Sequence, residues 1–354
     1  MLECYNEGNR GLKITMNFNK EKSLNLILDQ EYGFRPENAK KQLQYEVVED
    51  KVINNIHIRK IFMWYEKYAM RAYIYLPNGM KKVKTFVFVL HEYAENLADK
   101  DMVNNYQTLY RYVPVDYIVS RGYGVCVVPT REVAPDEKDS LRPSIIKYMG
   151  DPVTNNSWGG LQSWSWACSK ALDYLYTIPE EIDLDNVSVI GHSRGGKTAL
   201  LAAAQDERFI MAVSSCSGNS GAALARNNTG ETIKVITEAF PYWFCKNYYK
   251  YADNEDKLPF DQHELIGCIA PRYAYVLSAT EDAWACPKNE LLACRYASEI
   301  YKENGVDGLI APKKIETDVS YNEGHIGYHY KTGTHCIEQR DWKMVIDFLE
   351  KHRS

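Results

Sequence analysis

Residues 189–201 read VIGHSRGGKTALL, passing from an apolar, strand-like run into an alanine-rich helical pattern. Between the two lies Gly-His-Ser-Arg-Gly, and Gly-x-Ser-x-Gly at a strand-to-helix junction is the signature of a nucleophile elbow. The turn must be tight enough to lift the serine hydroxyl clear of the sheet. A side chain at Gly191 or Gly195 would then collide with the adjoining strand or helix. The stretch therefore predicts Ser193 as a nucleophile that faces a cleft.

The patterns around this junction predict a mixed, mostly parallel α/β sheet. Alternating runs at 54–65 and 70–77 are typical of antiparallel strands, and six short apolar runs are typical of buried parallel strands. The six runs are residues 85–90, 123–129, 187–191, 210–215, 273–279 and 326–330. Helical patterns follow or precede them at 115–122, 163–178, 196–207, 288–305 and 341–353. Together with the elbow, this order predicts the α/β-hydrolase fold, a sheet between two layers of helices.

No internal repeat, low-complexity tract or linker interrupts the chain, so residues 1–354 are expected to form one domain. Residues 1–45 are expected to be an N-terminal extension, charged and helical from about residue 20. Residues 219–268, rich in Tyr, Phe and Trp, fall between two predicted core strands. We expect this insertion to form a lid or cleft wall over the strand ends.

The composition disfavours several classes of partner. Of 354 residues 25% are charged, and the net charge of −5 argues against nucleic acid or an anionic membrane as the partner. No apolar run approaches the ~20 residues of a membrane span. The first residues lack the apolar core of a signal peptide, so a cytoplasmic location is expected. Nine scattered cysteines without Cys-x-x-Cys fit reduced, buried thiols.

A serine is a weak nucleophile unless a histidine, oriented by an acid, takes its proton. In this fold the three residues come in the chain order Ser, acid, His, at the carboxyl ends of successive strands. The run at 273–279 is followed by TEDAWACP, which offers Glu281 and Asp282. We predict Asp282 as the acid, with Glu281 as the alternative.

His335 follows the run at 326–330, in a glycine-containing loop, and is predicted to be the base. His329 lies within a strand pattern, and His325 precedes that strand and is expected at the opposite end of the sheet. His192 is fixed on the elbow and is expected to face sideways. The histidines at 325, 329 and 335 lack a helix-borne pair of ligands, so neither a metal nor another cofactor is predicted.

Long stretches of the chain resemble the bacterial glucuronoyl esterases of carbohydrate esterase family 15 and related acetylxylan-esterase-like proteins. The matching letters are SWGGLQSWSWACSKALDYL, VIGHSRGGKTALLAAAQDERF, GAALARNNTGET, FPYWFC, LPFDQHELIGCIAPRYAYVLSATEDAWACP and IGYHYKTGTH. They cover roughly residue 155 to the C-terminus. Ser-Arg-x-Gly-Lys at the elbow is much more specific than Gly-x-Ser-x-Gly alone.

The resemblance implies roles for four residues besides the predicted triad. It implies that Arg194 serves the oxyanion hole through its backbone N–H and its guanidinium, as suits a cation held beside a tetrahedral oxygen. It implies that Lys197 binds sugar hydroxyls or the uronate, and that Glu231 accepts hydrogen bonds from sugar hydroxyls. It also implies that Trp284 forms an apolar wall against the sugar. The implied activity is serine-dependent hydrolysis of 4-O-methyl-glucuronoyl esters, with a small carbohydrate ester as the substrate.

Three departures from the family pattern are visible. Fungal members carry the acid as a Glu after the strand that follows the elbow, where this chain has Cys216. Cys336 stands where relatives often have Asp. Residues 89–96, VLHEYAEN, do not resemble the Gly-rich oxyanion loop of lipases, which leaves more of that task to Arg194.

Two other functions stay open at this point. The same triad would serve an acetyl esterase that acts on xylo-oligosaccharides, because the catalytic groups do not distinguish the acyl part from the alcohol. A non-catalytic, hydrolase-like binding protein would be expected to have lost the serine, the acid or the histidine. All three are present in the chain.

Overall fold

The computed structural model of the chain describes residues 2–3, 18–91, 102–138, 143–150 and 154–353. The strands are β1 Leu2–Glu3, β2 Gln44–Ile53, β3 Ile56–Tyr65, β4 Tyr68–Pro77, β5 Val83–Leu90, β6 Gly124–Pro129, β7 Ile182–His192, β8 Met211–Ser215, β9 Tyr273–Ala279, β10 Lys314–Ile315, β11 Ser320–Tyr321 and β12 Ile326–Lys331. The α-helices are α1 Lys20–Ile27, α2 Val115–Ser120, α3 Ile145–Met149, α4 Gly160–Leu175, α5 Arg194–Gln205, α6 Ile233–Ala239, α7 Gln262–Gly267, α8 Pro287–Glu303 and α9 Gln339–Arg353.

One ten-stranded sheet organises the fold, in the order β11-β12-β9-β8-β7-β5-β6-β4-β3-β2. The six strands from β12 to β6 pair in parallel, whereas β11, β4, β3 and β2 pair antiparallel on the two sides. β1 and β10 form a separate two-stranded ladder. All six predicted parallel strands and the predicted antiparallel start are present. The predicted α/β-hydrolase fold is therefore confirmed.

The side chains of β5 show why the parallel strands read as continuous apolar runs. Phe86, Phe88 and Leu90 pack into one core with residues of α2 and α9, and Val87 and Val89 pack into another with residues of α4 and α5. Successive side chains of a strand face opposite sides of the sheet, so a central strand is apolar along most of its length. The sheet accordingly lies between two helical layers.

The region before residue 54 agrees with the prediction only in part. Helix α1 and the shorter helical turns Leu28–Tyr32 and Glu37–Lys40 account for the predicted helical extension. No pattern in the sequence predicts β2, which follows them. It is an edge strand paired with β3 alone. Half of its residues are polar and none of them is buried, so it lacks a strong apolar alternation.

Two further predictions concern membranes and cysteines. Within the described ranges, no helix combines the length and apolar character that a bilayer span requires. Eight of the cysteines lie in those ranges, all with free thiols and seven of them buried, whereas Cys4 lies outside them. Burial raises the pKa of the Cys168 thiol to about 12 and that of Cys245 to about 11, which keeps these groups protonated.

The sheet topology brings four segments to one edge. β7, β8, β9 and β12 are adjacent and parallel, so the segments that leave their carboxyl ends emerge side by side. The insertion at 219–268 leaves β8 and carries α6 and α7 before the chain returns as β9. The predicted nucleophile, acid, base and cleft wall are all drawn from these segments.

Candidate active site

Ser193 occupies the turn between β7 and α5 with φ of 56° and ψ of −126°, a conformation that costs an L-residue energy. A Cβ atom on Gly191 would lie 2.1 Å from the Gly195 oxygen, and one on Gly195 would lie 2.8 Å from the Val89 oxygen of β5. Helix and neighbouring strand therefore crowd the turn as the sequence predicts. The Ser193 N–H donates to the Ser215 oxygen at 2.8 Å, which ties the turn to the end of β8.

The letters GHSRGGKT also satisfy the spacing Gly-x₄-Gly-Lys-Thr of a phosphate-binding loop, so spacing alone does not separate the two motifs. A phosphate loop leaves its backbone N–H groups free to surround the ligand. Here the helix already begins at Arg194, the Gly196 N–H donates to the Ser193 oxygen at 2.8 Å, and the Lys197 ammonium group contacts protein oxygens. The backbone is that of an elbow.

The structure brings the predicted triad into one cleft. His335 Nδ1 lies 2.6 Å from Asp282 Oδ2, the contact expected between a base and the acid that orients it. Asp282 is buried, whereas the side chain of His335 is 40% exposed and thus accessible. Ser193, Asp282 and His335 line a cavity of about 380 Å³. The alternative acid, Glu281, is exposed, and Asp282 is the carboxylate that contacts the imidazole.

Backbone hydrogen bonds join the acid loop to the histidine loop. The Thr280 N–H donates to the Lys331 oxygen and the Glu281 N–H to the Gly333 oxygen, both at 2.9 Å. The Gly333 N–H returns a bond to Thr280 Oγ1 at 3.1 Å. The position of the imidazole relative to its acid is therefore set by the two loops together.

Lys331, at the end of β12, is a structural residue of the site that sequence analysis missed. Its ammonium group donates to Asp341 Oδ2 and to the Cys336 carbonyl oxygen, both at 2.6 Å, and the Lys331 and Asp341 side chains are fully buried. This pair holds the chain immediately after His335. The one available signal was a lysine inside an otherwise apolar strand.

The rival histidines considered from the sequence, His325, His329 and His192, all lie outside the acid–base contact. His325 precedes β12 at the far end of the sheet, where Nδ1 lies 2.6 Å from the Pro271 oxygen. His329 is buried within β12. His192 is buried with Nδ1 3.2 Å from Ser215 Oγ, and its ring centroid lies 4.5 Å from that of His335. Burial lowers the pKa of His192 well below its usual value, so this neighbour of the base stays neutral.

Arg194 lies in the cleft between an acid and two rings. Its Nη1 donates to Asp136, whose buried carboxylate also accepts from Trp243 Nε1 at 2.7 Å and the Tyr242 hydroxyl at 3.0 Å. The guanidinium lies 5.0 Å from the Trp243 centroid and 5.2 Å from that of Phe240, and the two rings stack at 3.9 Å. Its Nε is buried and has no partner among the described residues. That free donor supports the predicted oxyanion role.

Lys197 and Glu231 form a buried ion pair on the cleft lining. Lys197 Nζ donates to Glu231 Oε2 at 2.6 Å, to the Ser217 oxygen at 2.6 Å and to the Asn219 oxygen at 2.5 Å. Three acceptors account for the three hydrogens of an ammonium group. A direct contact between Lys197 and a substrate would therefore have to displace one of them, and its substrate-binding role stays a prediction.

Trp284 forms an exposed part of the cleft wall. The residue is 50% exposed, unlike a core tryptophan, and lines the same cavity as the triad. The Glu231 N–H donates to the Trp284 carbonyl oxygen at 2.9 Å, which joins the backbones of the two residues. The insertion contributes Glu231, Phe240 and Trp243 to the lining. The sequence patterns indicate no individual role for Asp136, Phe240 or Trp243.

A second buried carboxylate, Glu290 of α8, lies behind the cleft lining. Its Oε1 accepts from the backbone N–H groups of Ser217 at 2.8 Å and Gly218 at 3.1 Å, and its Oε2 lies 2.6 Å from Ser278 Oγ. Burial raises the pKa of Glu290 to about 7. Glu290 and Lys197 thus hold the segment after β8 from two sides. Nothing in the sequence pattern distinguishes Glu290 from other helical glutamates.

One sequence feature falls outside the described residues. Glu92 to Asn96, most of the stretch that departs from the lipase oxyanion loop, lies between the described ranges 18–91 and 102–138. The contribution of Arg194 relative to that loop therefore stays a prediction.

The fold and the site define an α/β-hydrolase with a Ser-His-Asp constellation, and comparison with known proteins gives the family. The family model described as "Glucuronyl esterase, fungi" matches residues 122–305, just over half of the chain. The chain belongs to the glucuronoyl esterase family. A curated relative named carbohydrate esterase MZ0003, from an unknown prokaryotic organism, is 40% identical over 241 residues, covering 67% of this chain and 55% of the relative.

Solved structures agree over nearly the whole chain. A promiscuous CE15 esterase from a marine bacterial metagenome has a TM-score of 0.85 at 30% identity and covers 98% of this chain and 95% of its own. A glucuronoyl esterase from Solibacter usitatus has a TM-score of 0.86 at 28% identity, with 96% and 93% covered. By contrast, the chain spans about half the length, or less, of the curated relatives it matches.

Proposed function

We propose that the protein is a serine esterase that hydrolyses carbohydrate esters, with 4-O-methyl-glucuronoyl esters as its substrate class. The observation that carries this proposal is the constellation at the sheet edge. A serine on a strained elbow lines one cleft with a histidine whose Nδ1 lies 2.6 Å from a buried aspartate.

In the first half of the proposed reaction, Ser193 attacks the ester carbonyl carbon while His335 takes the hydroxyl proton at Nε2. The carbonyl oxygen becomes an oxyanion, which faces the Arg194 backbone N–H at the start of α5, the positive end of the helix. Collapse of the tetrahedral adduct breaks the C–O bond to the alcohol. His335 returns the proton to that alcohol as it leaves.

In the second half, water attacks the acyl-enzyme and His335 takes the proton of the water. The acyl C–O bond to Ser193 then breaks, the proton returns to the serine, and a carboxylic acid is released. Asp282 keeps the Nδ1 proton of His335 in place throughout, so Nε2 remains the basic atom. In a glucuronoyl ester the sugar is the acyl group, whereas in an acetyl ester it is the alcohol.

The wall of the cleft supports a sugar as the bound group. Trp284 offers an exposed ring face, and the buried Lys197–Glu231 pair places polar atoms on the lining next to it. An apolar face beside a small number of fixed polar groups suits the apolar face and hydroxyl rim of a pyranose. The membership of the chain in the glucuronoyl esterase family favours a uronate as that pyranose.

The test is a parallel hydrolysis assay of the purified protein and Ser193→Ala. The substrates are a benzyl or methyl ester of glucuronic acid and acetylated xylo-oligosaccharides. Ser120→Ala, which changes an exposed serine at the end of α2, is the matched control and should retain full activity. We expect turnover of the uronate ester that falls by roughly 10⁴-fold or more in Ser193→Ala.

Turnover of the acetyl substrate alone would keep the triad and reject the uronate as substrate. Absence of serine-dependent turnover with both, combined with failure of a fluorophosphonate to label Ser193, would reject the esterase proposal altogether.

A further inference from the structure

Cys216 adds a third metal-ligating side chain to the Asp282–His335 pair. One ligand atom from each of these three residues lies within 4.8 Å of the other two. In the part of the chain that the structure describes, no other group of three such side chains comes this close. The esterase mechanism uses the aspartate and the histidine and assigns no task to the thiol.

Local structure directs Cys216 to this position. It is the first residue after β8 and has φ of 49°, in the left-handed region that a non-glycine residue enters at some cost. Its N–H donates to the Leu277 oxygen at 2.7 Å, which fixes it beside β9 and the acid loop. The residue is 1% exposed, yet it belongs to the lining of the same cavity as Ser193.

We propose that Cys216, Asp282 and His335 form an inhibitory site for a thiophilic divalent cation such as Zn²⁺. Its effect on turnover rests on the proposed esterase function. Zinc takes a thiolate, an imidazole and a carboxylate at about 2.0–2.3 Å in a tetrahedron, which places its donor atoms roughly 3.3–3.6 Å apart. The 2.6 Å contact between His335 and Asp282 would therefore widen by less than about 1 Å to admit the ion. The fourth position of the tetrahedron is left for water.

The chemistry of binding explains why the ion would inhibit. The Cys216 thiol exchanges its proton for the metal, so one proton leaves for each ion bound. His335 coordinates through the lone pair of Nδ1, and a neutral imidazole bound in this way keeps its proton on Nε2. That nitrogen can then no longer accept the proton of Ser193. The ion removes the base without touching the nucleophile.

The donor set also predicts selectivity among cations. A thiolate beside an imidazole suits Zn²⁺ and Cd²⁺. Mg²⁺ and Ca²⁺ require six or more oxygen donors, and this trio supplies one carboxylate. Inhibition by zinc without inhibition by magnesium is therefore expected.

Two measurements on the full chain test the site. The first is the ultraviolet thiolate-to-Cd²⁺ charge-transfer band, which reports binding and needs no substrate. The second is fluorophosphonate labelling of Ser193 with and without Zn²⁺, which needs the triad but no sugar. The variants are Cys216→Ser, with Cys216→Ala as a second version if the first fails to fold, and Cys336→Ser as the matched control. Cys336 directly follows His335 and is the partly exposed cysteine of the described ranges.

We expect Zn²⁺ to slow labelling of the parent and of Cys336→Ser at least tenfold, with recovery on adding a chelator and no effect of Mg²⁺. Cys216→Ser should label normally without metal, lose the Cd²⁺ band and need at least tenfold more Zn²⁺ for the same inhibition. The site would be overturned if Zn²⁺ inhibited labelling of Cys216→Ser as strongly as labelling of the parent. It would also be overturned if Cys336→Ser, rather than Cys216→Ser, lost the zinc inhibition.

The two proposals fail separately. A protein that binds Cd²⁺ through Cys216 and is labelled at Ser193, yet leaves uronate esters intact, would refute the proposed substrate and keep the metal site. A protein that hydrolyses these esters with no response to Zn²⁺ would refute the metal site alone.

Discussion

The two sides of the cleft differ in how their ionisable groups are exposed and paired. The catalytic edge, defined as Ser193, Asp282 and His335, keeps its imidazole 40% exposed and supported from behind by a buried acid. The charged wall, defined as Arg194, Lys197, Glu231 and Trp284, has both of its cations paired with carboxylates of low exposure, Lys197 with Glu231 and Arg194 with Asp136.

The comparison distinguishes a group that must be accessible to the substrate from groups whose charges are paired within the protein. A catalytic base must present a free atom to the substrate, so its partners contact only the other side of the ring. A buried cation that lost its partners would be strongly destabilising, so the wall satisfies its charges internally before any substrate arrives. We therefore expect substitutions at the catalytic edge to lower kcat. Substitutions at the charged pairs of the wall should first lower the free energy of unfolding.

The largest effect is expected from Asp282→Asn, the sharpest test of the catalytic edge. Asp282 Oδ1 accepts from the Ala285 N–H, so an asparagine that keeps this bond turns its NH2 group, a donor, toward His335 Nδ1. The imidazole then carries its proton on Nε2, the wrong tautomer, and kcat should fall roughly 10⁴-fold. Steady-state hydrolysis of the uronate ester measures the loss. The control is Glu281→Gln, one residue earlier and exposed, which should change the rate less than about twofold. A comparable loss in both variants would mean that the acid has been assigned to the wrong carboxylate.

Lys197→Met tests whether the ion pair of the wall is structural. Removing the ammonium group leaves Glu231 buried without its cation, which should lower the free energy of unfolding by about 3–5 kcal/mol. Urea denaturation monitored by tryptophan fluorescence measures it. The double variant Lys197→Met/Glu231→Gln removes both charges and should regain at least half of the loss. If Lys197→Met had the same free energy of unfolding as the parent, the ion pair would not stabilise the fold. The role of Lys197 would then be to bind the substrate.

Glu290 predicts a pH dependence of stability. Because its pKa is raised from 4.5 to about 7, the folded protein retains a proton that the unfolded chain has released in that interval. The stabilisation is complete below about pH 4.5 and is lost as the pH rises through 7, by roughly 3 kcal/mol at 1.36 kcal/mol per pKa unit.

Glu290→Gln removes this titration and can still donate to Ser278. Relative to the parent, its free energy of unfolding should therefore gain roughly 3 kcal/mol between about pH 4.5 and pH 8 in urea titrations. Glu299→Gln, at a more exposed position of α8, is the control and should track the parent at every pH. A constant difference between Glu290→Gln and the parent would contradict the raised pKa.

The smallest effect is expected at Trp284, where the wall meets solvent. Trp284→Ala should raise KM for the uronate ester about tenfold, the equivalent of one lost ring contact of roughly 1–1.5 kcal/mol, and leave kcat unchanged. Because the ring is half exposed, the free energy of unfolding should move by less than about 0.5 kcal/mol. Tyr110→Ala, at another exposed aromatic residue outside the cavity lining, should alter neither constant. A fall in kcat without a change in KM would mean that Trp284 stabilises the transition state rather than the bound substrate.

The sequence predicted the parallel strands, the elbow and the candidate triad because each depends on a short-range pattern. β9 agrees residue for residue with the run at 273–279, since a strand buried on both faces is mostly apolar. β2 escaped prediction because an edge strand may carry charges on both faces. The spacing around Lys197 matched two motifs at once, and only the early start of α5 separated them.

The sequence by itself determined which serine stands on the elbow, and that an acid and a histidine follow it in the order of this fold. Each of those features is encoded in a short stretch at the carboxyl end of one strand. The sequence left Asp282 and Glu281 both as candidates for the acid. Only the tertiary structure decided which buried charges meet. Arg194 pairs with an aspartate 58 positions earlier, and Glu290 binds the Ser217 N–H 73 positions away. The reason is physical: a buried charge needs a partner in space, and the order of strands in the sheet determines which distant residue that partner is.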